Sequence, residues 1–201
     1  MRRLMTVATL LVFGTAAGVH AQTAVELEIR GGASFPTEDF GPSSLKTGGG
    51  FEGSVGVLLM PHLKVYGGWG WNQLRTDTPF LGGQYDVETT GYVFGGQFQH
   101  PMFDRFGGWI RAGGLYQHIE LEEREGSFAA DSGHELGWEA GGGFLVQMGE
   151  RFVLTPGVRY RTLSADLTSG SQTVPVTLSY VAVDIGVVMA FGRRPLLTAA
   201  R

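Results

Sequence analysis

The sequence predicts an all-β chain closed into an eight-stranded antiparallel up-and-down transmembrane β-barrel. Three observations predict it. Eight successive stretches between Val25 and Phe191 alternate apolar with polar residues, the connections between them run long and short in turn, and an apolar leader precedes them all. A period of two sorts side chains onto opposite faces of a strand. A barrel that crosses a bilayer appears only as such individually weak segments.

The first strand, about 24–35, sets Val25, Leu27, Ile29, Ala33 and Phe35 against Glu26, Glu28, Arg30 and Ser34. The second, about 49–60, opposes Phe51, Val55, Val57 and Leu59 to Glu52 and Ser54; the third, about 62–74, opposes Leu63, Val65, Trp69 and Trp71 to Lys64, Tyr66 and Asn72. The fourth, about 86–99, carries Tyr92, Phe94 and Phe98 opposite Val93, Gln97 and Gln99, and the fifth, about 107–119, carries Ile110, Ala112 and Tyr116 opposite Arg111 and Gln117. In the sixth, about 135–148, Leu136, Trp138, Ala140, Phe144, Val146 and Met148 oppose Glu135, Glu139 and Gln147. The seventh, about 151–163, places Phe152, Leu154, Val158 and Tyr160 against Thr155, Arg159 and Arg161. The eighth, about 177–191, runs Val181, Val183, Ile185, Val187, Met189 and Phe191 against Tyr180 and Asp184.

Tight turns are expected at Pro61-His62, within 100–106 and at Gly149-Glu150, with polar loops over 36–48, 75–85, 120–134 and 164–176. Short turns on one side and longer loops on the other are the asymmetry of an outer-membrane barrel. Glycine-bearing strands flanking each short turn, as in Gly56, Pro61 and Gly67 or Gly95-Gly96, Pro101 and Gly107-Gly108, read as a repeated hairpin and not a solenoid.

Residues 1–21 read as a secretory signal, with basic Arg2 and Arg3, an apolar run from Leu4 to Val19, and a small residue at Ala21. The run is broken by Gly14 and Gly18, which weighs against a spanning helix. Residues 22–191 then form one barrel domain, and 192–201 a short periplasmic tail. No cysteine is present, so stability rests on packing and hydrogen bonds. Losing Arg2 and Arg3 takes the formal charge from −4 to −6, and no basic patch suggests a nucleic-acid partner.

A soluble ligand-binding barrel also alternates, with its apolar face inward. Aromatic placement argues for the membrane. Phe35, Phe51, Trp71, Tyr92, Tyr116, Trp138 and Tyr160 fall towards the long-loop ends; Phe98, Phe106, Phe144, Phe152 and Phe191 fall towards the short turns. Two such girdles suit two membrane–water interfaces. The opposite face carries Glu28, Arg30, Glu52, Lys64, Arg111, Glu139, Arg159 and Asp184, equal in acids and bases. Eight strands leave an interior only wide enough for side chains. A lumen network of ion pairs is therefore expected, with Arg159 between Glu139 and Asp184, because an unpaired buried charge costs several kcal/mol.

Catalytic chemistry finds little support. Ser132, His134 and Glu135, or His118 and Glu120, supply triad residue types, but neighbours in one loop rarely place a base on a nucleophile and an orienting group on the base. The acids Glu120, Glu122, Glu123, Glu125 and Asp131 lack the spacing of a calcium-binding EF-hand loop. Gly141-Gly142-Gly143 lacks the strand–turn–helix context of a phosphate loop. No cofactor, metal or catalytic residue is expected.

The chain resembles the small outer-membrane β-barrel family, the OmpA/OmpX-like, porin-like group, over nearly the whole mature length. The resemblance rests on glycine–aromatic strands, the leader, and Tyr180-Val181-Ala182-Val183-Asp184-Ile185-Gly186-Val187-Val188-Met189-Ala190-Phe191. That last strand is similar to the family's insertion signal, which implies the barrel assembly machinery as a partner during insertion. Gly192 to Arg201 depart from the family, which usually finishes on the aromatic. The resemblance implies the outer membrane of a Gram-negative-type bacterium, with lipid and lipopolysaccharide as neighbours. It also implies a structural or surface-contact role through the four long loops. A small-solute pore, a secreted lipocalin-like barrel and a lipid A-modifying enzyme are the alternatives.

Overall fold

Alternation does build strands, and they close on themselves. The computed structural model describes residues 25–77, 85–123, 128–169 and 172–191, so the signal at 1–21 and the tail at 192–201 lie outside the described residues. The strands are β1 Val25–Pro36, β2 Leu45–Met60, β3 Leu63–Thr76, β4 Tyr85–Phe103, β5 Phe106–Glu123, β6 Phe128–Asp131, β7 Glu135–Gln147, β8 Phe152–Ser169 and β9 Gln172–Phe191. Each of eight long strands pairs antiparallel with its neighbours, and β1 closes the ring on β9 from Val25↔Phe191 to Pro36↔Tyr180. Closure leaves no sheet edge across the spanning zone, the condition for a β-structure to sit in lipid.

The ninth strand, β6, is an addition to the ring. At 13 residues β7 is shorter than β5 and β8 at 18 each. β6 occupies the notch above it, pairing Glu120↔Asp131 and Leu121↔Ala130 on β5 and touching β8 at Asp131↔Thr168.

The expected long loops need correction, because strand pairing continues through much of them. Residues 45–48, 75–76, 120–123, 164–169 and 172–176 are all in strands, with β8 running to Ser169 and β9 beginning at Gln172. A spanning strand needs about 9–11 residues, so β8 and β9, at 18 and 20, are far longer than a span requires. The polarity that suggested loops is the polarity of a strand's outer face once it stands in water.

At the outer girdle both faces of the wall change character. On β8 the outward face passes from Tyr160 to Thr162, Ser164, Asp166 and Thr168, while the inward face passes from Arg159 and Arg161 to buried Leu163, Ala165 and Leu167. On β5 the outward face changes from Tyr116 to His118, Glu120 and Glu122 as the inward face changes from Gln117 to Ile119 and Leu121. Trp71 gives way to Gln73 as Asn72 gives way to Leu74, and Tyr92 gives way to Thr90 and Glu88 as Thr89 gives way to Val87. Below this level the outer face is apolar and the inner face polar, the order that suits a wall surrounded by hydrocarbon. Above it the outer face is polar and the apolar interior of a water-surrounded protein returns.

The outer interior is therefore an apolar dome. Leu74, Val87, Ile119, Leu121, Leu163, Leu167, Val176 and Leu178 pack together there with Phe40, which is 0% exposed. Phe40 arrives from the β1–β2 connection, where its N–H donates to Ser43 O (2.7 Å) and its carbonyl accepts from Ser43 N (3.1 Å). Gly41 makes that tight reversal with φ +58°, a conformation a side chain disfavours. Burying a large apolar side chain contributes about 1.5–3 kcal/mol.

A smaller apolar layer of Trp109, Leu145, Val153 and Val188 lies in the lumen near the short turns. Trp109 fits because Gly143 and Gly157 face it; a Cβ on Gly143 would stand 2.9 Å from its ring.

Candidate functional site

Between the two apolar layers lies a belt of charge. Glu28, Arg30, Glu52, Lys64, Arg111, Glu139, Arg159 and Asp184 are all buried inside the ring, and Glu26 and Arg161 join them. Five acids thus face five bases. Both stand on the polar faces read for their strands, Glu26 near the start of the first and Arg161 past the girdle residue Tyr160, but outside the expected network of eight. Each shares its parity with a residue already assigned inward, Glu28 and Arg159.

β1 supplies Glu26, Glu28 and Arg30; β2, Glu52; β3, Lys64; β5, Arg111; β7, Glu139; β8, Arg159 and Arg161; β9, Asp184. Arg30 donates to Asp184 and Glu28, and to Thr155 Oγ1 at 3.0 Å, with its guanidinium 4.9 Å from the Trp109 ring centre. Lys64 Nζ lies 3.0 Å from Glu26 Oε2 and 3.6 Å from Glu28 Oε2. Arg111 bonds Glu139 and reaches Glu52 Oε1 at 2.9 Å, and lies 4.1 Å over the Tyr66 ring. Arg159 donates from Nε to Asp184 Oδ2 (2.7 Å) and from Nη1 to Glu52 Oε2 (2.6 Å), with Glu139 Oε2 at 3.4 Å. Arg161 donates to Glu52, and from Nε to Glu139 Oε2 at 2.8 Å, while Tyr66 donates its hydroxyl to Glu139 Oε1 at 2.7 Å.

This arrangement holds strands together and fills space. Buried charge is tolerated only when paired and hydrogen-bonded, and each of the ten has a partner of opposite sign. The cavities beside the belt are small: about 20 Å³ near Asn72, Arg159 and Arg161, and about 10 Å³ near Glu26 and Gln97.

The girdle residues all lie on the outward face. Phe35, Phe51, Tyr92, Tyr116 and Trp138 are exposed at the outer level, as are Phe98, Phe106, Phe144, Phe152 and Phe191 at the other. Trp71 and Tyr160 are half-buried, with Trp71 5.7 Å from Phe51 and Tyr160 5.4 Å from Trp138. Trp69 and Phe94 also point outward, between the two levels.

Just outside the upper girdle, Glu88, Glu120 and Glu122 bring carboxylate oxygens within 4.8 Å of one another. Glu88 foremost, then partial burial, Glu120 and Asp86 push the Glu122 carboxyl above its ordinary 4.5. An acid raised in the folded state destabilises it when ionised. That penalty is absent at low pH, grows as pH rises past 4.5, and is complete once Glu122 has lost its proton in the folded barrel. Glu122→Gln is therefore expected to raise the unfolding midpoint slightly at pH 7 and leave it unchanged at acid pH, in paired urea titrations.

The triad residue types do not assemble. Ser132 Oγ donates to Gly133 O (2.8 Å) and accepts from Ile119 N (2.9 Å), so backbone occupies the hydroxyl. The His134 ring packs against His118 (4.8 Å) and Tyr116 (5.1 Å), and His118 Nε2 lies 3.1 Å from Glu120 Oε1.

No family model matches the sequence, and no curated protein matches it. Solved structures do match. Neisserial surface protein A is similar with a TM-score of 0.60 at 11% identity, covering 84% of this chain and 97% of that one. The outer membrane protein OprG from Pseudomonas aeruginosa is similar with a TM-score of 0.52 at 14% identity, covering 87% of this chain and 97% of that one. The fold is that of a small outer-membrane β-barrel. The barrel is also similar to the outer membrane protein AlkL, determined in lipid bilayers, with a TM-score of 0.50 at 13% identity over 96% of this chain and all of that one. The barrel's exposed apolar band agrees with that fold: Ile29, Ile110, Val183, Ile185 and Val187 all lie on the outer surface.

Proposed function

We propose that this chain is a non-enzymatic integral protein of the outer membrane of a Gram-negative-type bacterium. Its lumen is sealed, and its working surface is the outward end. The observation that carries the reading is the layering of the interior, apolar dome over paired charge over a second apolar layer. Ions crossing that path would have to open a dry core and break paired buried charges. A soluble lipocalin-like barrel is disfavoured because Ile185, at 54% exposed, and its neighbours would then face water.

Lipid and lipopolysaccharide surround the barrel in this reading, and the assembly machinery reads the β9 end during insertion. Contact with an extracellular partner falls to the regions 36–48, 75–85, 120–134 and 164–176, the last carried high on the β8–β9 ribbon. Purified protein in planar bilayers is expected to give no steady conductance, while running with heat-modifiable mobility on gels. Steady single-channel currents would overturn the sealed lumen, and recovery in the soluble periplasmic fraction would overturn the membrane assignment.

A further inference from the structure

Three buried residues, each with one unpartnered polar atom, line one small space at the short-turn end of the lumen. Glu26, Gln97 and Gln99 are 1%, 2% and 4% exposed, and among the described residues Glu26 Oε1, Gln97 Oε1 and Gln99 Nε2 have no hydrogen-bond partner. All three residues line the cavity of about 10 Å³, together with Lys64, Leu145, Val153 and Val188. Buried polar groups left unpaired are costly and rare in folded proteins. Here three such groups share one cavity.

The chemistry of the three atoms selects the occupant. Two are acceptors, one of them a carboxylate oxygen, and the third is an amide donor. A bound cation would suit the acceptors but would meet the Gln99 N–H and the Lys64 ammonium, which lies 3.0 Å from the other Glu26 oxygen. An anion would meet two acceptors. A water molecule donates twice and accepts, and the volume is that of about one.

We infer that this cage binds a single, long-lived water, donating to Glu26 Oε1 and Gln97 Oε1 and accepting from Gln99 Nε2. The inference rests on the sealed-lumen reading and deepens it: this end of the lumen is hydrated at a fixed point with no continuous file of water. The water ties β1 to β4, the one barrel strand that contributes no charge to the belt. It thus extends the lumen network around the whole ring.

The test is NMR of the full barrel in lipid nanodiscs, reading water cross-relaxation at the Gln97 and Gln99 side-chain amides beside bilayer conductance. A cross-peak from Gln99 Nε2–H to slowly exchanging water, with no conductance, is the expected result. Gln97→Leu is expected to weaken it about tenfold, the worth of roughly one hydrogen bond. Gln99→Met is expected to abolish the donor while water persists at Gln97, and heat-modifiable migration verifies that each variant is folded. Absence of any slow water at Gln99 without conductance would overturn the cage and leave the sealed lumen standing. Fast-exchanging water throughout the lumen together with conductance would overturn both.

Discussion

Replacing Glu139 by Leu is expected to cost the barrel about 3–5 kcal/mol, the usual penalty for removing one partner of a buried charge cluster. Glu139 receives Arg111, Arg159, Arg161 and the Tyr66 hydroxyl. Without it the three guanidiniums share Glu52 and Asp184, and the lumen carries one uncompensated positive charge. Urea unfolding in lipid vesicles, followed by tryptophan fluorescence, measures the loss. A second replacement, Arg161→Leu, restores the charge balance, so the double variant is expected to lose less than the sum of the two singles. Strict additivity, or a loss within experimental error for Glu139→Leu alone, would remove the belt as a source of stability.

Ile185→Arg is expected to destabilise the barrel by about 2–4 kcal/mol, the cost of a cation on the lipid face near mid-bilayer. Ile185 lies outward on β9 between Val183 and Val187. Thr177→Arg, on the same strand and the same outward parity, is expected to change stability by no more than about 0.5 kcal/mol, because it stands in water above the girdle. The two replacements differ by eight positions along one strand. Equal effects at both sites would mean that the change of face lies elsewhere, and with it the outer boundary of the bilayer. Unfolding titrations in vesicles and the efficiency of insertion both read this difference.

The change of face is written in the sequence as a change of parity. A strand of period two keeps its apolar residues at one parity, so an apolar residue three places beyond a girdle position announces a switch. Trp71 to Leu74, Tyr116 to Ile119 and Tyr160 to Leu163 all make that step, and on β9 the same interval separates Val181, paired with Tyr160, from Leu178. Taking the switch as the end of a strand turned the upper parts of β5, β8 and β9 into loops. Trp109 was missed for a related reason. It adjoins apolar Ile110, and only its shared parity with Arg111 places it inward, beside glycines far along the chain. The lumen charges were legible because eight strands leave room for little else, and their parity opposed the aromatics.

Which face each side chain takes is a local property of an extended backbone, so the sequence by itself determined the strands, the inward charges and the outward aromatics. Which charge meets which is not local. Arg30 and Asp184 stand 154 residues apart, and Arg159 and Glu52 stand 107. They meet only because the sheet closes with one particular stagger between successive strands. That stagger is set jointly by every hairpin and by the β1–β9 seam, so it belongs to the ring as a whole. The dome arises the same way: Phe40, Leu74, Leu121 and Leu167 become a core only when closure brings four separate segments over one opening.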